Sequence, residues 1–297
     1  MRRLSVFVGG TILSSITSLV VDEEIGEGQV LDLLSSLVEK SLVLAEFDGE
    51  EPRYRLLETT RYYARDMAAD THEPDLRGRH ARHFVDQLAE ATADWETTAT
   101  TQWLARYGAD IDNLRAALDW AFGPHGDAAI GIELVGYSHV ISAELGLMLE
   151  HRRWVEQALR HVNSATSRII VARLLSWQSG DVKDVDDPTD YDDAMRASAI
   201  YCELGDTFHQ GQMLLRAGAW RLLPEHFQDG EHLLQKAYAL LHKHGPTKTL
   251  AHCLSALASA RLFAADIFGA QSFHKQALAI SRAILEGAQS PASECKY

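Results

Sequence analysis

The chain has 297 residues, 46% of them hydrophobic and 24% charged, a composition that excludes a disordered or fibrous polymer and supplies apolar material for two or three cores. Its 42 Asp and Glu outnumber 28 Lys and Arg, a formal net charge of -14, which repels phosphate backbones unless a local basic stripe reverses the field. Cys202, Cys253 and Cys295 share no metal-ligand or C-x-x-C spacing, which argues against a disulfide framework and suits reduced thiols in a cytoplasmic protein.

Met1-Arg2-Arg3 followed by Leu4 to Val21 has the outline of a signal peptide. Gly9, Gly10, Thr11, Ser14, Ser15, Thr17 and Ser18 dilute the apolar run, however, and no A-x-A-like site precedes Asp22. The run is also too polar for a membrane span, so two short core helices are expected there. From Gln29 to Val43, the residues Val30, Leu33, Leu34, Leu37, Val38 and Leu42 recur mostly at three- and four-residue steps, the pattern of an amphipathic helix. The period then changes. Leu42 to Ala45 and Tyr54 to Leu57 read as the strands of a hairpin around Asp48-Gly49-Glu50-Glu51-Pro52. A helix from Glu58 to about Ala69 completes the order helix, helix, helix, hairpin, helix, a winged-helix layout over residues 1–70.

Beyond Asp75 helical periodicity dominates, with candidates at Leu76 to Ala91, Thr101 to Phe122, Asp127 to Ala143 and Glu150 to Val162. These make a helical linker bundle over residues 71–165. Gly123-Pro124-His125-Gly126 is the clearest stop between them, and Asp181 to Asp193 reads as an acidic exposed loop. An internal repeat follows: the A-x-A element recurs at 197, 237 and 277, and a constant 40-residue offset predicts stacked helical hairpins over residues 166–287. Gly218 and Ala258, Gly230 and Ala270, and Ala237 and Ala277 occupy the small-residue positions of a tetratricopeptide-like pattern. The first copy is degenerate, with Gln178 at the first of these positions. The last residues, 288–297, have no apolar period and are expected to be a frayed tail. The expected fold is therefore mainly α, a winged-helix unit with a short β-hairpin followed by a tetratricopeptide-like solenoid of α-helical hairpins.

Four segments in order carry a family resemblance: Arg2-Arg3-Leu4-Ser5-Val6-Phe7-Val8-Gly9-Gly10; Leu33-Leu34-Ser35-Ser36-Leu37-Val38-Glu39-Lys40-Ser41-Leu42-Val43; Tyr54-Arg55-Leu56-Leu57-Glu58-Thr59-Thr60-Arg61-Tyr62-Tyr63-Ala64; and Asp112-Asn113-Leu114-Arg115-Ala116-Ala117-Leu118-Asp119-Trp120-Ala121. Together they resemble the region after the nucleotide-binding module in bacterial STAND regulators of the NB-ARC type, including transcriptional activators with C-terminal tetratricopeptide arrays. The resemblance covers nearly the whole chain. It implies a switch in which an ATPase core is restrained by winged-helix and repeat regions, and in which the repeats sense a ligand or partner. It also implies that residues 1–70 act as an interdomain module and that the chain is a C-terminal portion, truncated or separately encoded. The core itself has no counterpart here: no G-x-x-x-x-G-K-[ST] occurs, and the nearest lookalike, Gly245-Pro246-Thr247-Lys248-Thr249, lacks the second glycine and a preceding strand.

A winged helix invites a DNA-binding reading, but residues 1–70 hold seven Lys or Arg against thirteen Asp or Glu, which argues against direct DNA contact. Arg77, Arg79, His80, Arg82 and His83 form a basic cluster expected to be a solvated, salt-bridged helix surface. The pairs His80 and His83 or His242 and His244 lack further zinc ligands, so neither a metal nor a cofactor is expected. With no G-x-S-x-G, no H-E-x-x-H and no activated nucleophile, no catalytic residue is assigned and the chain is expected not to be an enzyme. The functional surface is instead placed on the first helices of the repeats. Gln212, Leu215 and Ala219 are expected beside His252, Ser255 and Ser259, with Arg216, Trp220 and Arg261 near the rim, as a groove for a peptide, a small ligand or a protein partner. The alternative for Trp220, with Leu215 and Leu222, is simple hairpin core.

Overall fold

The computed structural model describes residues 1–47, 51–69, 76–178 and 189–289. The turn residues 48–50, most of the expected acidic loop (181–188), and residues 290–297 of the expected tail, with Cys295, lie outside the described residues. The fold is mainly α with one small antiparallel sheet. Two compact units are present, residues 1–91 with 104–141 and residues 92–103 with 142 onward.

In the first unit a 3-10 turn at Arg3–Val6 leads to β1 (Thr11–Ile12), α1 (Leu13–Val20), α2 (Glu27–Glu39), β2 (Val43–Glu46), β3 (Arg53–Leu56) and α3 (Glu58–Ala69). The two short core helices expected at the N-terminus are thus one 3-10 turn and one helix, separated by a strand. Gly9 and Gly10 both take positive φ, 79° and 95°, which breaks the helix and turns β-branched Thr11 and Ile12 onto the hairpin. The sheet order is β1-β3-β2, with Thr11 opposite Tyr54 and Val43 opposite Leu56. Ile16, Leu19, Val30 and Leu34 of the helices and Val43 and Leu56 of the sheet are buried.

The chain continues through α4 (Leu76–Trp95), α5 (Thr100–Tyr107), α6 (Ile111–Ala121), α7 (Ala128–Tyr137) and α8 (His139–Glu144). Two of the expected helices are divided. Thr101 to Phe122 is interrupted by a 3-10 turn at Gly108–Asp110, consistent with the low helix propensity of glycine. Asp127 to Ala143 breaks at Ser138, whose hydroxyl donates to the Val135 carbonyl at 3.1 Å and competes with the helix ladder.

The second unit holds α9 (Met148–His161), α10 (Arg168–Gln178), α11 (Thr189–Leu204), α12 (Thr207–Trp220), α13 (Phe227–Leu241), α14 (Lys248–Phe263) and α15 (Ile267–Gln289). From α9 each helix packs on the next in chain order. The first alanine of each A-x-A element, Ala197, Ala237 and Ala277, is buried, and the second is exposed in all three copies. The small residues have a steric reason: a Cβ on Gly230 would lie 2.9 Å from the Arg221 carbonyl and from the Gly218 oxygen, so α12 and α13 meet backbone to backbone. Leu214, Leu234, Leu241, Leu254 and Leu257 fill the space around that contact. Among the described residues, no helix is long and apolar enough to cross a membrane.

Candidate functional site

The expected groove residues sit on neighbouring helices, since α12 lies against α14. Gln212, Leu215 and Ala219 share one side of α12, and His252, Ser255 and Ser259 share one side of α14, by their three- and four-residue spacing. Ala219 and His252 are exposed, and the other four are half-buried. Leu215 leans on the repeat core, and the Ser259 hydroxyl donates to the Ser255 carbonyl at 3.2 Å. Arg216 donates to the carbonyl of Ser176 on α10. Trp220 lies 6.3 Å from Tyr191 of α11, and the Arg221 guanidinium stands 4.0 Å above the Tyr191 ring and 5.9 Å from Trp220. Arg216 and Trp220 are therefore at the edge where α12 meets the preceding pair. Arg261 is not brought to the others: nine residues past His252, it falls on the opposite side of α14 at about 3.6 residues per turn, and pairs with Glu231 of α13 at 3.0 Å.

Acidic residues fall on the second helices of the array and not on the first. The first helices, α10, α12 and α14, carry Arg168, Arg173, Arg216, Lys248 and Arg261 and no Asp or Glu. The second helices, α11, α13 and α15, carry Asp192, Asp193, Glu203, Asp229, Glu231 and Glu286 together with Arg196, Lys236, Lys275 and Arg282. Part of this asymmetry ties the layers together, through Arg168 with Glu203 at 2.6 Å and Arg261 with Glu231.

The phosphate-loop lookalike has a different role. Gly245-Pro246-Thr247-Lys248-Thr249 opens α14, and its free amides are taken by the chain's own Glu96: Thr249 N–H donates to one carboxylate oxygen at 3.0 Å, and the Thr249 hydroxyl donates to the other at 2.8 Å. Lys248 N–H donates to the Glu96 carbonyl at 2.9 Å. The Lys248 ammonium stands 4.5 Å from the Trp95 ring and donates to Thr100 Oγ1 at 3.2 Å, and Trp95 Nε1 donates to Glu144 at 2.5 Å. Burial holds the Lys248 ammonium below its usual pKa, against the opposing pull of Glu144 and Glu96. A helix N-terminus favours an anion, and here residues 92–103 supply it.

At the other end of the chain, the order 3-10 turn, β1, α1, α2, β2, β3 with sheet order β1-β3-β2 places α2 where a winged helix carries its third helix. Residues 1–69 match the winged helix-turn-helix domain. Over 120 residues, 40% of this chain, it is 39% identical to candidate HTH-type transcriptional regulators of Mycobacterium bovis and of two Mycobacterium tuberculosis strains. The aligned segment spans 14% of each of those proteins, so it represents a small part of them. The chain is also similar to the crystal structure of a Signal Transduction ATPase with Numerous Domains (STAND) protein with a tetratricopeptide repeat sensor from Pyrococcus horikoshii. That likeness has a TM-score of 0.48 and 14% identity, over 97% of this chain and 51% of that one.

The solvent side of α2 is acidic and apolar. The exposed residues of α2 and its C-cap include Glu27, Asp32, Glu39 and Lys40 beside Leu31 and Leu33, each of these leucines half in solvent. The wing strand is anchored within its own unit. Arg53 pairs with Asp110 at 2.5 Å and donates to the Gly10 carbonyl at 3.1 Å, and Asp110 also accepts from Gln87 at 3.1 Å. Asn113 donates to the Gly10 carbonyl at 3.0 Å and accepts from Val8 N–H at 2.7 Å. Of the basic cluster on α4, Arg77 and Arg82 stay exposed, whereas Arg79, His80 and His83 are drawn into the packing. His80 is buried between Phe7 and Phe84, with ring centroids 5.3 and 4.8 Å away, and burial pushes its pKa down to about 3. His83 meets Ser18 at 3.2 Å, Arg79 donates to the Val21 carbonyl at 3.4 Å, and Arg82 pairs with Glu133 at 2.8 Å. Among the described residues, no three His, Cys, Asp or Glu converge to hold a metal ion. Asp110, Asn113 and Glu96 were not singled out from sequence. Asp112-Asn113 lies in a segment of the family resemblance, but its partners are some hundred residues away.

Proposed function

We propose that this chain is a non-catalytic, cytoplasmic regulatory part of a transcriptional regulator: its repeat wall binds a protein or small ligand, and its winged helix contacts protein and not DNA. The observation that supports the wall as the binding surface is its charge. Three consecutive first helices are free of acidic residues in a chain of net charge -14, and Gln212, His252 and Ser255 offer hydrogen bonds among apolar contacts. The acidic and leucine-bearing face of α2 supports protein contact by residues 1–69, with an NB-ARC-type ATPase core as the partner the resemblance implies.

The test uses the full chain and two surface variants, Gln212→Glu/His252→Glu and Leu31→Glu/Leu33→Glu, as baits in native cytosol with mass spectrometry. Recovery of a P-loop ATPase that is lost only in the α2 variant supports the switch. Recovery of another protein that is lost only in the wall variant favours a second reading, a free-standing interaction scaffold without ATPase coupling, for which the continuous repeat core from α11 to α15 is sufficient. Identical recovery by all three sinks both.

A further inference from the structure

The repeat pattern is broken at the start of α14. At the 40-residue offset, Lys248 and Thr249 stand where α12 has Phe208 and His209. α12 closes its first turn from within: Asp206 accepts from His209 N–H at 3.0 Å, and Phe208 packs on the repeat core. α14 does so only in part, through Thr247, whose hydroxyl accepts from Leu250 N–H and whose carbonyl accepts from Ala251 N–H, both at 3.1 Å. The amides of Lys248 and Thr249 go to Glu96 instead. The Lys248 ammonium goes to Trp95 and Thr100, so these partners lie 148 to 153 residues earlier in the chain.

Residues 92–103 belong with the array, whereas the chain on both sides of them belongs to the winged-helix body. Ala99 and Trp103 are fully buried and seat the segment. Trp95, Glu96, Thr100 and Lys248 are only half-buried, and what they give α14 is hydrogen bonds and one cation–π contact, which water can replace at small net cost. Lys248, His252, Ser255 and Ser259 follow one another at four-, three- and four-residue steps and form one line along α14. The segment therefore covers the first position of a line whose next three positions are the wall. At 1.5 Å per residue that line is about 16 Å long, the reach of a peptide segment of a protein rather than of a small molecule.

We propose that Trp95, Glu96 and Thr100 form a latch on the N-terminal end of the repeat wall, an autoinhibitory contact that withdraws when a protein partner occupies the line from Lys248 to Ser259. The proposal rests on the wall as the binding surface. A partner lying along the whole line meets Trp95 and Thr100 over Lys248, so it binds only the fraction of molecules in which they have left. Its apparent affinity is lowered by that fraction, and weakening the latch raises it.

The test compares the wild-type chain with Glu96→Gln and with Trp95→Ala/Glu96→Gln, each carrying the photocrosslinker benzoylphenylalanine at position 212 or, separately, at position 31, in native cytosol. Hydrogen exchange reads the latch itself: the Lys248 and Thr249 amides are expected to exchange about fivefold faster in Glu96→Gln and faster again in the double variant. The Leu254 and Leu257 amides are expected to be unchanged, which shows that α14 stays folded. The protein adduct at position 212 is expected to rise in the same order, by at least about threefold in the double variant, with the adduct at position 31 unchanged. Faster exchange at Lys248 and Thr249 with no rise at position 212 overturns the latch and leaves the wall reading standing. Acceleration that extends to Leu254 and Leu257 makes Glu96 a structural cap of α14 and also overturns it. Absence of any adduct at position 212 in all three chains sinks the wall reading, and the latch with it.

Discussion

The winged-helix body and the repeat array are held together by opposite means. Around the wing, buried polar groups make the contacts: Asp110 with Arg53 and Gln87, Asn113 with Val8 and Gly10. Between α12 and α13, small residues let backbones touch, and leucines fill what remains. A polar network is specific and intolerant of losing one member, because each remaining partner is then buried unsatisfied. A repeat contact is tolerant of charge at its outer faces and intolerant of added volume. The array is therefore the part whose surface tolerates change, and the winged-helix body is the part built to keep one geometry.

The largest effect that would break this comparison is expected from Asp110→Ala, which strands Arg53 and costs about 3 to 5 kcal/mol. Hydrogen exchange should accelerate across residues 1–91 and 104–141 and not in α12–α15. Uniform acceleration would mean the two regions do not differ as described. Gly230→Val is the converse, with a Cβ placed 2.9 Å from backbone atoms. It should cost about 3 kcal/mol, confined to the repeats, and an unchanged denaturation midpoint would contradict the close approach.

The pH response sharpens the contrast. His80 has a pKa lowered from 6.5 to about 3, so the fold holds it neutral. That contribution is fully present above about pH 6.5 and is lost as pH falls toward 3, which amounts to about 2 kcal/mol at pH 5. Thermal melts of the winged-helix body should show this acid sensitivity, and His80→Gln should flatten it. A parallel pH slope in wild type and variant counts against the buried neutral imidazole. The smallest effect is expected from Glu96→Gln, about 1 kcal/mol, seen as faster exchange of the Lys248 and Thr249 amides.

Local pattern made much of this visible in the sequence. The hairpin was legible from the change of period between Leu42 and Leu57, and the repeats from the A-x-A spacing, because each is encoded within a few tens of residues. β1 was not: two residues carry no period, and pairing with Tyr54 and Arg53 creates the strand. The interruptions at Gly108–Asp110 and Ser138 depend on single residues inside apolar runs. For the site, Gln212, Leu215, His252 and Ser255 follow from helical spacing on adjacent first helices. Arg261 follows the same helix round to the other side, where Glu231 takes it. The Glu96 contact with Thr249 joins residues 153 apart, and no local rule connects them.

The most direct test of the central claim is site-specific photocrosslinking in native cytosol, with the photoreactive residue at position 212 on the repeat wall and, separately, at position 31 on α2. A protein or small-molecule adduct at position 212 and a protein adduct at position 31 are the predicted results. Duplex DNA captured at position 31, with nothing captured at position 212, would contradict the account.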